Sequence, residues 1–140
     1  MRQTYYAVSD ESFAGLQNDL QQYTALAKQL LTPGLNTGKK AAVLQQRNDL
    51  KADIQTKLTE SGTLLGFLND DEVEAFEAAN QGMANIEAKS FLRTNGIPEQ
   101  ELEGVLAALM ELDSGGASAN VSFFLERAKQ QRQNVIVWIE

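Results

Sequence analysis

The stretch TPGLNTGKKAAV, residues 32–43, is the one place where the sequence could encode a phosphate-binding loop. A loop of the Walker type needs a glycine, four intervening residues, then Gly-Lys and a Ser or Thr that holds magnesium. Here Gly34 and Gly38 enclose three residues, and Lys39 is followed by Lys40. The stretch also follows an amphipathic helical pattern, whereas such a loop follows a buried strand. We therefore predict a turn between two helices.

Lys39 and Lys40 then stand at the start of the second of these helices. The helix dipole opposes positive charge at that end, so the pair contributes little to helix stability. Their placement favours a role in contacting an acidic partner. Trp138, near the end of the chain, is a further candidate for partner binding, although the sequence favours a core position for it.

Acidic residues are concentrated in one segment. Residues 69–113 hold eleven acidic and two basic residues, a net charge of −9 in a chain whose total is −7. At its start, DDEVEAFE places Asp70, Glu74 and Glu77 on one helical face by their spacing of three and four residues. The candidate residues are Asp70, Asp71, Glu74 and Glu77. They are interpreted as helix-capping charge on a solvated face, as an anionic surface for a basic partner, or as part of a Mg²⁺ or Ca²⁺ site, which needs carboxylates from a second element.

Missing residue types exclude several chemistries. The chain has no Cys and no His, which excludes disulfides, thiolate catalysis, Ser-His-Asp triads and ordinary zinc sites. A calcium loop after Asp113 would need Gly115, Ala117 and Phe124 as ligands, and their side chains cannot coordinate. We therefore expect no cofactor and no metal, and a flexible connector at DSGGASAN.

Charge and hydropathy also bound the partners. No basic cluster is present, so we expect no direct nucleic-acid binding, and a basic protein partner fits better. Neither a signal peptide nor a membrane span is indicated, so we expect no membrane association. The expected location is the cytoplasm, or the interior of an infected host cell or a virion.

The two ends of the chain are rich in β-branched and aromatic residues. MRQTYYAV at the start and NVIVWIE at the end each predict a short strand. Alternation along a strand places Tyr5 and Tyr6 on opposite faces, and Val137 and Trp138 likewise. A two-stranded ribbon needs apolar support, so we expect it to pack on helices. The sequence leaves open whether these strands pair within one chain or between chains.

Amphipathic segments between the strands predict helices. Ser9 is the expected cap of the first helix, whose apolar residues recur every three or four positions to about residue 31. The second helix begins after Gly38 and should fold back as an antiparallel hairpin. ESGTLLGFLN is interpreted as a passage of small residues that leads to the third helix.

Three further helices are expected in the second half. Asn69 caps the third, with Glu72 closing a capping box, and this helix should continue to TNG at 94–96. Asn80 within it is either buried or turned outward in favour of Ala79. Pro98 starts the fourth helix, and the fifth covers about 120–133.

These patterns predict a mainly α fold in a single domain, 1–140: an antiparallel bundle of four to five amphipathic helices with short terminal strands. The function they favour is a non-enzymatic protein-interaction module, such as an assembly factor, adaptor, secretion-type chaperone or small structural subunit. Narrow apolar stripes on long helices predict a homo-oligomer. One alternative is an acidic inhibitor or nucleic-acid mimic that uses segment 69–113, and another is a carboxylate-metal enzyme.

Overall fold

Helices on two sides of a small sheet make up the fold. The computed structural model describes residues 2–112 and 116–139, and 68% of them are helical. The elements in chain order are β1 (Gln3–Val8), α1 (Asp10–Leu30), α2 (Thr37–Ser61), β2 (Gly62–Leu68), α3 (Asp70–Asn80), α4 (Ile86–Arg93), β3 (Gly96–Ile97), a 3-10 helix (Glu99–Glu101), α5 (Leu102–Met110), α6 (Gly116–Gln130) and β4 (Asn134–Ile139). The mainly helical character predicted from the sequence is confirmed.

The sheet has the strand order β2-β1-β4-β3, and every neighbouring pair is antiparallel. The two terminal strands form its centre: Gln3 lies opposite Ile139, and Val8 lies opposite Asn134. These strands therefore pair within one chain. Strands β2 and β3 were not predicted, and β2 occupies the GTLLGFL segment that the sequence indicated as a connector.

The sheet separates two apolar cores. Tyr5 and Val137 point to one face, where they are buried with apolar residues of α3 to α6. Tyr6 and Trp138 belong to the other face, which packs against α1 and α2. The alternation predicted for both pairs is confirmed. The predicted four-to-five-helix bundle is not confirmed, because a sheet lies between the helices rather than at their margin.

The predicted N-terminal caps are present in part. The capping box is present: Asn69 Oδ1 accepts from the Glu72 amide at 2.9 Å, and the Asn69 amide donates to Glu72 Oε1 at 3.2 Å. Ser9 stands at the N-cap position of α1, but its hydroxyl makes no capping hydrogen bond.

Two predicted helices have different bounds. The third is divided into α3 and α4, and Asn85 caps the second part by accepting from the Ala88 amide at 3.1 Å. The fifth begins at Gly116, four residues before the expected start. The calcium interpretation centred on Asp113 lies outside the described residues.

Asn134 joins four elements at the start of β4. Its side chain is 2% exposed, and its Oδ1 accepts from the Glu99 amide at 2.8 Å. Its Nδ2 donates to Asp10 Oδ1 at 2.8 Å and to the Val8 carbonyl at 3.4 Å. One side chain therefore fixes β4 against β1, the start of α1 and the 3-10 helix. A buried amide satisfied in this way stabilises one arrangement over its competitors.

A salt bridge fixes the base of the α1–α2 hairpin. Lys57 Nζ lies 2.7 Å from Asp19 Oδ2 and 3.1 Å from Asp53 Oδ2. The hydrogen bond to Asp19, followed by that to Asp53, raises the pKa of Lys57 above its ordinary value. The interaction of Lys57 with the two aspartates therefore stabilises the fold fully at a pH below the ordinary pKa of lysine. This stabilisation is lost as the pH rises through the raised pKa of Lys57. The contribution is small, since the Lys57 side chain is 45% exposed.

A β-bulge in β2 brings its backbone against α6. The β1–β2 register shifts between Tyr5 and Tyr6, because Tyr5 lies opposite Gly66 and Tyr6 opposite Leu64. Gly66 has a φ of 156°, and a Cβ at this position would overlap the ring of Phe124. That ring also packs on Tyr5 at a centroid distance of 5.3 Å, and burial raises the pKa of the Tyr5 phenol.

Gly66→Ala should destabilise the protein by about 3 kcal/mol, because backbone strain and overpacking act together. The matched variant is Gly15→Ala in α1, where no atom lies within 4 Å of the added methyl group. That change should stabilise the protein by roughly 0.5–1 kcal/mol. Urea unfolding followed by circular dichroism measures both. Equal unfolding midpoints for the two variants would show that the bulge is not tightly packed.

Candidate interaction surfaces

The α1–α2 hairpin extends well past the sheet. At 1.5 Å per residue α1 is about 31 Å long, whereas a six-residue strand spans about 20 Å. The buried residues of the two helices are Leu16 and Leu20 in α1 and Ile54 and Leu58 in α2. Residues 21–53 contain no buried residue, and we call this segment the arm.

The arm carries exposed apolar and basic side chains. Leu31 is 83% exposed and Leu44 is 45% exposed. Its basic residues are Lys28, Lys39, Lys40, Arg47 and Lys51, and its acidic residues are Asp49 and Asp53. Five bases and two acids give the arm a net charge of +3. Both candidate lysines, Lys39 and Lys40, are exposed at its tip.

The tip of the arm is a helix–helix turn. Gly34 adopts a φ of 83°, which favours glycine, and Asn36 caps α2 by accepting from the Lys39 amide at 2.8 Å. The turn that the sequence predicted in place of a phosphate-binding loop is thus present, with a capping asparagine that the sequence analysis had not identified.

The acidic candidates lie together on α3. Asp70 and Asp71 occupy its first turn, Glu74 and Glu77 follow, and all four are exposed. Within residues 2–112 and 116–139, no three carboxylates are grouped closely enough to hold a metal ion. The arrangement is therefore an anionic face on one helix.

Trp138 is not part of any exposed surface. Its side chain is 3% exposed, and its ring lies 5.2 Å from that of Tyr23. This is the core position that the sequence favoured for it. Trp138 helps to fix the inner end of the arm on the sheet.

A third surface surrounds the outer edge of β2. Leu64, Phe67 and Phe123 are 55%, 48% and 61% exposed. The guanidinium of Arg2 lies 4.0 Å from the centre of the Phe67 ring, and Arg127 Nη1 donates to the Leu65 carbonyl at 3.1 Å. The bulge and this hydrogen bond protect the middle of an edge that would otherwise be open to another strand. This surface was not predicted from the sequence, because it depends on β2, which was not predicted either.

A cleft of about 500 Å³ lies between α1 and the α4–β3 segment. Its α1 side carries Gln17, Gln21 and Lys28, and its opposite side carries Arg93 and Asn95. None of these was a candidate in the sequence. The two sides are more than sixty positions apart along the chain, so no local pattern links them.

A smaller cavity of about 250 Å³ adjoins α3 and shares Arg93 and Thr94 with the cleft. Asn80 lines it and is 5% exposed, so the buried alternative for this residue is the one observed. Its Oδ1 has no hydrogen-bond partner among the described residues. A buried amide without a partner is costly to the fold.

The comparisons identify no relative. Neither the protein-family models, nor the curated proteins, nor the solved structures contain a match to this chain. Within the described residues, no helix combines the length and the apolar character needed to cross a bilayer.

The two buried asparagines should respond oppositely to the same substitution. Asn134→Leu should cost about 2–4 kcal/mol, because it removes three hydrogen bonds of a buried amide and takes the side-chain acceptor from the Glu99 amide. Asn80→Leu should be neutral, or should stabilise by roughly 1 kcal/mol, because it removes an acceptor that is already unpaired and fills a cavity. Thermal and urea unfolding give both values. A large cost for Asn80→Leu would mean that its oxygen has a partner in solution.

Proposed function

We propose that the protein is a non-enzymatic protein-interaction module whose arm packs against helices of a partner, with a second copy of the chain as its first partner. The observation that supports this is the arm itself: 33 residues, 21–53, without one buried residue. Helices gain most of their stability from packing of an apolar face. The rest of the chain does not bury this segment. Contacts with another chain therefore best explain the length of the arm and its exposed leucines.

The inner face of the arm is only half satisfied. Tyr23 and Leu50 are only partly buried although they pack against the core that the hairpin shares with the sheet, and Leu30 and Val43 are also partly exposed. A second hairpin would bury this seam further, and the a/d spacing of α1 accepts a helix of another subunit as well as α2. Such a surface would suit an assembly factor, an adaptor, a secretion-type chaperone or a small structural subunit.

Replacing Leu31 and Leu44 together by serine should weaken self-association at least tenfold, because full burial of one leucine contributes roughly 1.5–3 kcal/mol. Light scattering over a concentration series measures the assembly of both proteins. The matched control replaces Ile86 and Met110 by serine. These two residues lie outside the arm and are 81% and 83% exposed. The control should assemble like the unchanged protein.

Two results would contradict this proposal. The unchanged protein could remain monomeric at every concentration, which would remove the second copy as a partner. The control could weaken assembly as much as the arm variant, which would remove the arm as the docking element. Salt should have a modest effect on assembly, since the contact is mainly apolar.

The exposed α3 carboxylates support one second candidate, an acidic inhibitor or nucleic-acid mimic that binds a basic groove. The variant that tests this second candidate replaces Asp70 and Asp71 by Asn, and Glu74 and Glu77 by Gln. Affinity capture in moderate and high salt then separates the two functions. An acidic mimic should lose its partner in high salt and in this variant, whereas an arm-mediated complex should persist in both.

A further inference from the structure

The cleft between α1 and α4–β3 has a charge opposite to that of the protein. Lys28 and Arg93 line it, and no Asp or Glu is present among the residues that form its walls. Among the described residues, neither cation forms an ion pair. In a chain of net charge −7, the cleft thus places two cationic groups where they can attract an anion.

The walls also provide neutral hydrogen-bond donors. Gln17 and Gln21 stand one turn apart on α1, and Asn95 faces them from the loop before β3. The amide groups of these three side chains have no hydrogen-bond partner within the described part of the chain. They can therefore donate to a ligand without breaking an internal bond.

Gly96 allows the α1 wall to approach β3. A Cβ on Gly96 would lie 2.7 Å from Gln17 Nε2 and 3.0 Å from the Phe13 ring. The carbonyl of Gly96 accepts from the Thr94 hydroxyl at 2.8 Å, and Pro98 offers no amide hydrogen. The β3 edge is thus closed to a further strand, and the cleft is suited to a small molecule rather than to an extended peptide.

We propose that this cleft binds a small phosphorylated molecule, with its phosphate held by Arg93 and Lys28 and its polar groups by Gln17, Gln21 and Asn95. Arginine can donate two parallel hydrogen bonds to a phosphate, and lysine adds a point charge. The cleft volume of about 500 Å³ lies in the range of small-ligand sites. The cleft shares Gln21 and Lys28 with the arm. Binding of a small ligand in the cleft nevertheless does not require the arm to contact another chain, so the calorimetric test does not depend on self-association.

The test measures binding to the full chain by isothermal titration calorimetry at constant ionic strength. The probes are inorganic phosphate, adenosine monophosphate and citrate. The variants are Arg93→Gln and Lys28→Gln, with Lys89→Gln as the matched control. Lys89 lies one turn before Arg93 on α4 and donates to the Gln81 carbonyl at 3.1 Å, and it is not part of the cleft wall.

The unchanged protein should bind at least one phosphate probe saturably and more tightly than citrate. Arg93→Gln should weaken that binding about tenfold or more, because a hydrogen bond to a charged group is lost. Lys28→Gln should also weaken it, and Lys89→Gln should change it less than about twofold. Thermal unfolding checks that all three variants fold, which is expected because Lys28 and Arg93 are exposed and Lys89 is only partly buried.

Three results would overturn the proposal. The first is that neither phosphate probe shows saturable binding at concentrations up to about 10 mM, because a weaker affinity would not be specific. Alternatively, Lys89→Gln would weaken binding as much as Arg93→Gln, which would indicate a general charge effect. Tighter binding of citrate than of both phosphate probes would overturn the assignment of the ligand class.

Discussion

The antiparallel pairing of β1 with β4 is the constraint on which the rest of the fold depends. It joins the two ends of the chain at the centre of the sheet, with Gln3 opposite Ile139 and Val8 opposite Asn134. Because helices cover both faces, most residues of these strands are apolar on both sides, unlike strands that face water, and the buried polar residues Gln3, Thr4 and Asn134 lie near strand ends. The buried polar group at this junction, Asn134, is compatible with that requirement because it makes three hydrogen bonds to other elements.

The sequence predicted the elements whose signals are local and missed those that depend on pairing. The terminal strands and the capping box at Asn69 follow from composition and spacing alone, and the structure contains them. Strand β2 has two glycines and a bulge at Leu65–Gly66, which interrupts the two-residue alternation of a strand. Strand β3 has two residues, too few for any periodic signal, and it exists because β4 offers it an edge.

Without β2 and β3, the mainly helical pattern leads to the wrong architecture. Without β2 and β3 the terminal strands form a ribbon at the margin, and the helices have only one another to pack against. With four strands the sheet is wide enough to support helices on both faces, and two cores result. The candidate sites followed the same division: the exposed charges of α3 and of the arm could be read from the sequence, whereas the cleft required the contact of α1 with a segment more than sixty residues away.

Helix α1 shows how one sequence serves three surfaces. Leu16 and Leu20 are buried in the core beneath the sheet, and Gln17 and Gln21, each one position later, line the cleft. At 100° per residue, a shift of one position turns the side chain onto the adjacent face of the helix. Tyr23 still packs on Trp138 of β4, but beyond Leu20 α1 contains no buried residue, and the same apolar spacing continues as the seam of the arm. The regular apolar stripe of α1 therefore lies in two environments: a core near the sheet and an incompletely covered surface further out.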